Sequence, residues 1–160
     1  MEIAGTVVSL HIAPAGGARM QTLQQVKAVT GRGLEGDRYF STLGTYSNRP
    51  GAGRHVTLIE VEAIEALKRD YAIDLPPALS RRNIVTRGVA LKHFVGRELK
   101  IGEAILRGMR LCEPCSHLEK LTRPGVLRAL IHRGGLRADV FTGGTIRVGD
   151  SIASLDQPPL

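Results

Sequence analysis

The chain has 160 residues, a formal net charge of +7, 42% hydrophobic and 4% aromatic residues, and no tryptophan. Such a chain is long enough to bury a core, and we expect a single domain with its core over residues 3–154 and a proline-rich, frayed tail over 156–160. With so few aromatic side chains, a stacking surface for single-stranded nucleic acid is hard to build, so nucleic acid is not a favoured partner.

The first half of the chain is predicted to contain two strands, a long loop, a short strand and a helix, over residues 3–13, 22–30, 31–54, 55–59 and 60–71. The loop is rich in Gly, Arg, Asn and Pro. Loops longer than about 12–15 residues in compact domains tend to be functional or disordered. Pro76 and Pro77 end the helical region.

The second half is predicted to be strands at 81–85, 95–101, 104–112, 136–141 and 145–153, with helical turns at 116–121 and 126–132. The clearest hairpin joins two strands at Gly102 and Glu103. A last hairpin is predicted across Gly143 and Gly144. Strands dominate and mostly follow one another directly, which favours a β-barrel or sandwich with a few short helices.

Cys112 and Cys115 form a CxxC pair between a strand and a helical turn. A thiol at the start of a helix is stabilised as a thiolate by unpaired backbone N–H groups, which favours Cys115 as the functional one. Three alternatives stay open. A zinc site would need further ligands that the sequence does not offer at the usual spacing. A thioredoxin-like dithiol would need a βαβ context. Both thiols could also be unreactive.

Arginines stand singly or in pairs among glycines, which favours a small anionic ligand over nucleic acid. Arg38 closes a glycine-rich segment, and Arg81 and Arg82 precede Asn83. Arg133 and Arg137 flank two glycines that permit positive φ and close backbone approach. A structural turn, a solvated surface pair and a basic helix end are the respective alternatives.

The compartment is predicted from the two thiols and the hydropathy. Two cysteines do not make a secreted disulfide framework. The first residues lack the pattern of a signal peptide, and no stretch has the roughly 18 apolar residues of a membrane span. We therefore expect a cytoplasmic protein with reduced thiols and no membrane partner.

Six segments taken in order resemble the MOSC family, named for the C-terminal domain of molybdenum-cofactor sulfurase. They are Gly36-Asp-Arg38, Arg81-Arg-Asn-Ile84, Gly96-Arg-Glu-Leu-Lys-Ile-Gly102, Glu113-Pro-Cys115, Arg133-Gly-Gly-Leu-Arg137 and Gly144-Thr-Ile-Arg-Val-Gly-Asp150. The resemblance implies a mainly β, MOSC-type barrel with a basic cleft. It also implies that Cys115 is the signature cysteine, which carries sulfur or ligates molybdenum.

The resemblance further implies a bound molybdenum cofactor (molybdopterin), with Cys115 as catalytic residue and metal ligand. The residues expected to bind the cofactor are Arg38, Arg54, Arg82, Asn83, Arg133 and Arg137. One implied function is a molybdenum-dependent reductase of N-hydroxylated compounds, served by a separate electron donor. The other is a non-enzymatic sulfur or cofactor carrier with a persulfide on Cys115, served by a cysteine desulfurase.

The sequence departs from the larger relatives. It shows no pyridoxal-phosphate domain like that of the sulfurase and no N-terminal barrel extension. Iron–sulfur and flavin motifs are also lacking. The partner proteins named above are therefore expected to be separate chains. Cys112 is predicted either to form a disulfide with Cys115 during turnover or to pack.

Overall fold

A computed structural model describes residues 2–47 and 52–155 of the chain. The strands are Glu2–Ile12 (β1), Gln21–Leu23 (β2), Gln25–Val29 (β3), Gly33–Leu34 (β4), Val56–Glu60 (β5), Ile84–Arg87 (β6), Glu98–Ile101 (β7), Ala104–Leu111 (β8), Leu136–Thr142 (β9), Gly144–Arg147 (β10) and Ser151–Ser154 (β11). The α-helices are Val61–Tyr71 (α1), Ser116–Leu121 (α2) and Val126–Ala129 (α3), and two 3₁₀ turns lie at Pro77–Ser80 and Leu91–Phe94.

Seven of these strands close into a barrel. The order around it is β11, β7, β8, β9, β5, β6, β1, and antiparallel pairing of β1 with β11 completes the ring. The β5–β6 pair is parallel, with α1 in the connection, and the other pairs in the ring are antiparallel. β2 extends the sheet beside β1. The predicted mainly β barrel with a few short helices is confirmed.

The apolar residues divide into two clusters on either side of the barrel wall. One fills the barrel interior, with Leu58, Leu106 and Leu136 fully buried. The other lies outside β5 and β6, where Ile59 and Val85 pack against residues of α1, α2 and α3. Successive side chains of a strand point to opposite faces, so β5 and β6 are buried on both sides. The unbroken burial of residues 56–59 in β5 follows from this.

The predicted last hairpin is wrong. β9 pairs with β8 and β5, whereas β10 pairs with β3 in a separate three-stranded sheet that also contains β4. Gly149 has a φ of 90°, and the Asp150 side chain accepts a hydrogen bond from the Arg147 backbone N–H at 2.7 Å. This turn divides the predicted strand 145–153 into β10 and β11. The alternating pattern of residues 145–147 suits either partner, so sequence could not choose between them.

Other boundaries differ from the prediction by a few residues. The predicted strand over 22–30 divides into β2 and β3, which join different sheets. The strand predicted over 81–85 begins only at Ile84, because Arg81 has a φ of 60° and ends a 3₁₀ turn. The β7–β8 hairpin across Gly102 is confirmed, with Ile101 opposite Ala104.

The long predicted loop contains β4 and a series of turns. Its residues 48–51 lie outside the described residues, as does the predicted frayed tail 156–160. No helix among the described residues combines the length and apolarity needed to cross a bilayer.

Candidate functional site

An open cleft of about 390 Å³ lies beside Cys115. Its walls come from β5, the ends of β8 and β9, the segment before α2, and the loops that follow β4 and precede β6. Among the described residues, six arginines line it: Arg38, Arg54, Arg81, Arg82, Arg110 and Arg137. Glu113 is the acidic side chain among the lining residues, and it is engaged by His132, with 3.1 Å between Oε2 and Nδ1. The cleft is therefore strongly cationic.

Cys115 is the residue immediately before α2 and is partly exposed. The Tyr46 hydroxyl donates a hydrogen bond to its Sγ at 3.3 Å. Burial has the largest single effect and raises the pKa of the Cys115 thiol. The Tyr46 hydrogen bond, the backbone N–H groups of Leu118 and His117 and the charge of Arg82 together outweigh it. The pKa therefore lies below its usual value, which favours the thiolate.

Arg110 and Arg137 stand directly opposite each other in the register of β8 and β9. Burial lowers the pKa of the nearby Arg54, and the positive charges of Arg110 and Arg137 lower it further. In the described part of the chain, the Nη1 atom of Arg137 is buried without a hydrogen-bond partner. Like charges opposite each other on adjacent strands destabilise a sheet, so this arrangement suits an anion placed between them.

Arg38 and Arg82 also line the cleft, but much of their hydrogen bonding is internal. Arg38 is 5% exposed, and its Nη1 lies 3.0 Å from the carboxylate of Asp37. Arg82 is 7% exposed and donates from Nε to the carbonyl of Gly134 at 2.8 Å and from Nη2 to that of Cys112 at 3.4 Å. Both side chains therefore hold cleft segments together in addition to contributing positive charge.

Two predicted residues do not line the cleft. Asn83 is fully buried, and its side-chain amide bonds to other buried groups. Arg133 lines a separate, smaller depression of about 210 Å³, together with Glu60 and Lys92. The structure thus brings together Arg38, Arg54, Arg82, Arg137 and Cys115.

Several lining residues escaped sequence reasoning. Tyr46 lies in the long loop, where no periodicity distinguishes one side chain from another. The length of the loop suggested a functional role for the loop as a whole, but not for Tyr46 in particular. Arg110 lies in a predicted strand, and the alternation of side chains along that strand does not show which residue of a neighbouring strand Arg110 will face.

The two cysteines are both free thiols in the structure, and Cys112 is 1% exposed.

The model of the MOSC domain family matches residues 45–153, which include Tyr46, Cys115 and Arg137. Among curated proteins, none matches this chain in sequence. The solved structure of the YUAD protein from Bacillus subtilis is similar, with 16% identity and a TM-score of 0.77 over 95% of this chain and 97% of that one.

Two structures of YiiM are also similar. The protein from Geobacillus stearothermophilus has 15% identity and a TM-score of 0.66, and the match covers 97% of this chain and 75% of that one. The protein from Escherichia coli has 17% identity and a TM-score of 0.66, with 99% and 71% covered. At these identities the likeness shows a shared fold.

Proposed function

The chain belongs to the MOSC domain family, and from this premise we propose that its cationic cleft binds the molybdenum cofactor, with the sulfur of Cys115 as a ligand to the metal. The family is generally associated with binding of this cofactor. The observation that carries the proposal is the position of a partly exposed thiol with a lowered pKa in a cleft that six arginines of the described chain line.

The arginines on β8 and β9 fit the anionic part of the cofactor. The cofactor carries a phosphate, and guanidinium groups bind phosphate through paired charge-assisted hydrogen bonds. The buried Nη1 of Arg137 lacks an acceptor among the described residues, and an oxyanion in the cleft would supply one. Its register partner Arg110 would share the same anion, which would relieve their repulsion.

Cys115 suits the metal of the molybdenum cofactor. A thiolate is a soft donor suited to a metal that already has sulfur ligands. Across the described residues, no three His, Cys, Asp or Glu side chains gather into a metal site. A metal at Cys115 would therefore take its remaining ligands from the cofactor. When bound, the cofactor would supply a redox-active molybdenum centre.

We further propose that the loaded protein reduces N-hydroxylated compounds. The support is membership of the MOSC family, which includes amidoxime-reducing and hydroxylaminopurine-reducing proteins. In this role Cys115 holds the metal, the arginines neutralise the cofactor, and the open side of the cleft admits the substrate. The electrons would come from a separate donor protein.

Elemental analysis tests the cofactor proposal. The full chain is expressed in a host that makes the cofactor, and bound molybdenum is measured per polypeptide. We expect stoichiometric molybdenum in the parent chain and a large loss in Cys115→Ser. Equal molybdenum in the two proteins would rule out the ligand role. Reduction of an aromatic amidoxime by the loaded protein, with a chemical electron donor, tests the reductase step.

The partly exposed, low-pKa thiol favours a second candidate, a sulfur carrier with a persulfide on Cys115. A thiolate is the form that attacks sulfane sulfur. Incubation with a cysteine desulfurase and cysteine, followed by peptide mass spectrometry, is expected to add one sulfur atom at Cys115. An unmodified Cys115 after that incubation would count against the carrier.

A further inference from the structure

Tyr46 is a cleft residue whose side chain hydrogen-bonds to the Cys115 thiol. Its hydroxyl lies 3.3 Å from Cys115 Sγ, although 69 positions separate the two residues in the chain. The guanidinium carbon of Arg54 lies 5.5 Å from the centroid of the Tyr46 ring, and that of Arg137 lies 5.7 Å from it. One side chain therefore contacts both the sulfur and two of the cationic groups.

These contacts use different parts of the tyrosine. The hydroxyl stabilises the charged form of the sulfur, because a hydrogen bond to a thiolate is stronger than one to a thiol. The ring face attracts the two guanidinium groups through its quadrupole.

We propose that Tyr46 is the positioning residue of Cys115: its hydroxyl holds the sulfur in place at the cleft, while its ring sets the places of Arg54 and Arg137. This role rests on the proposed function, in which the same sulfur binds the metal. Tyr46 acts through Cys115 and has no direct part in the reaction.

The substitution Tyr46→Phe separates the two contacts, since it keeps the ring and removes the hydroxyl. The readout is the rate of alkylation of Cys115 by iodoacetamide against pH, followed by peptide mass spectrometry of the full chain made without cofactor. Loss of a charge-assisted hydrogen bond is expected to move the midpoint upward by roughly one to two pH units. Cys112, which is 1% exposed, serves as the unreactive internal reference.

Tyr71→Phe is the matched control. Tyr71 is 52% exposed at the end of α1, so removal of its hydroxyl is expected to leave the alkylation profile unchanged. An unchanged midpoint in folded Tyr46→Phe would overturn the positioning role. So would an equal upward shift in both variants, because it would not come from contact with the sulfur.

A reciprocal measurement leaves Tyr46 in place, in case Tyr46→Phe does not fold. In Cys115→Ala the phenol loses the hydrogen bond that raises its pKa, so one of the three tyrosines is expected to ionise at lower pH, seen by tyrosinate absorbance. Identical tyrosine titrations in Cys115→Ala and the parent chain would contradict the proposal.

Both measurements use protein without cofactor, so they separate this inference from the proposed function. Molybdenum bound by the parent chain together with an unchanged alkylation midpoint in Tyr46→Phe would overturn only the role of Tyr46. If the midpoint shifts in Tyr46→Phe but the parent chain binds no molybdenum, the role of Tyr46 stands and the cofactor proposal is overturned.

Discussion

The side-chain amide of Asn83 donates a hydrogen bond to the buried carboxylate of Asp37, with 3.2 Å between Nδ2 and Oδ1. Asp37 also accepts hydrogen bonds from Arg38 and from the backbone of Ala13. Asn83 itself is bonded to Thr57. Two sequence segments that resemble the family thus meet in one buried polar junction, which places Arg38 and Arg82 at the cleft.

Replacement of Asn83 by alanine is expected to destabilise the fold. It removes the amide from a fully buried site and leaves the Thr57 backbone N–H and the His11 carbonyl without their partner. Unsatisfied buried groups cost about 1–3 kcal/mol each, so we expect a loss of roughly 2–4 kcal/mol in the free energy of unfolding. Urea denaturation measures it, with exposed Gln25→Ala as control; a loss no greater than the control's would show that the junction is not structural.

The replacement Arg137→Gln is expected to weaken anion binding while leaving stability within about 1 kcal/mol. It removes a charge opposite Arg110 and a buried Nη1 that lacks an acceptor among the described residues, so little is lost on folding. The measurement compares the rise in melting temperature that inorganic phosphate produces in variant and parent at constant ionic strength. An undiminished rise in the variant would remove Arg137 from the binding site.

The replacement Arg82→Gln is expected to lower the stability of the fold, unlike Arg137→Gln. Its guanidinium is buried and donates to the carbonyls of Gly134 and Cys112, so a shorter side chain leaves both acceptors unsatisfied. A loss of about 2–4 kcal/mol in the free energy of unfolding is expected from urea denaturation. If Arg82→Gln unfolded at the same urea concentration as Arg137→Gln, the structural part we assign to Arg82 would be wrong.

The pH dependence of stability is expected to include a contribution from His11. This residue is 2% exposed, its ring nitrogens lie 2.8 Å and 3.0 Å from the hydroxyls of Ser9 and Thr22, and burial lowers its pKa. Below the unfolded pKa of about 6.5, the unfolded chain binds a proton that the folded chain rejects. The free energy of unfolding should therefore fall below about pH 6.5 and level off once the pH is below the folded pKa.

Urea denaturation between pH 7.5 and pH 5 measures this effect. The decline is expected to be shallower in His11→Asn, where the buried titrating group is gone. His93→Asn is the control, because His93 is exposed and its removal should leave the decline as it is in the parent. Parallel curves for His11→Asn and the parent chain would exclude His11 as the cause.

The replacement Gly135→Ala is expected to destabilise the fold strongly. Gly135 has a φ of 111°, and a Cβ there would overlap the carbonyl oxygen of Leu58 on β5. Gly17 is a matched control, since it has a φ of 76° but open space around the Cβ position. We expect a loss above about 3 kcal/mol at Gly135 and about 1 kcal/mol at Gly17, measured by thermal or urea unfolding. Equal losses would mean that only the dihedral angle matters.

Features encoded over short distances in the chain were predictable. The β7–β8 hairpin follows from a two-residue turn between strands with matching patterns, and the close approach at Gly135 follows from a glycine pair after a helical turn. The prediction of a last hairpin was wrong because β10 pairs with β3, which lies more than 100 positions earlier in the chain. Pairing over that distance depends on how the rest of the chain folds, and a strand pattern of four residues does not identify its partner.

By itself, the sequence determined that the chain is mainly β and that Cys115 and several arginines are candidates for binding an anion, because strand periodicity and residue chemistry are local properties. The choice of a barrel over a sandwich came from the resemblance to the MOSC family. Tertiary structure alone decided that Tyr46 contacts Cys115, that Arg110 lies opposite Arg137, and that the buried Asn83 side chain hydrogen-bonds to Asp37. These relationships depend on which strands become neighbours when the barrel closes, and that choice is made by burial of the whole core.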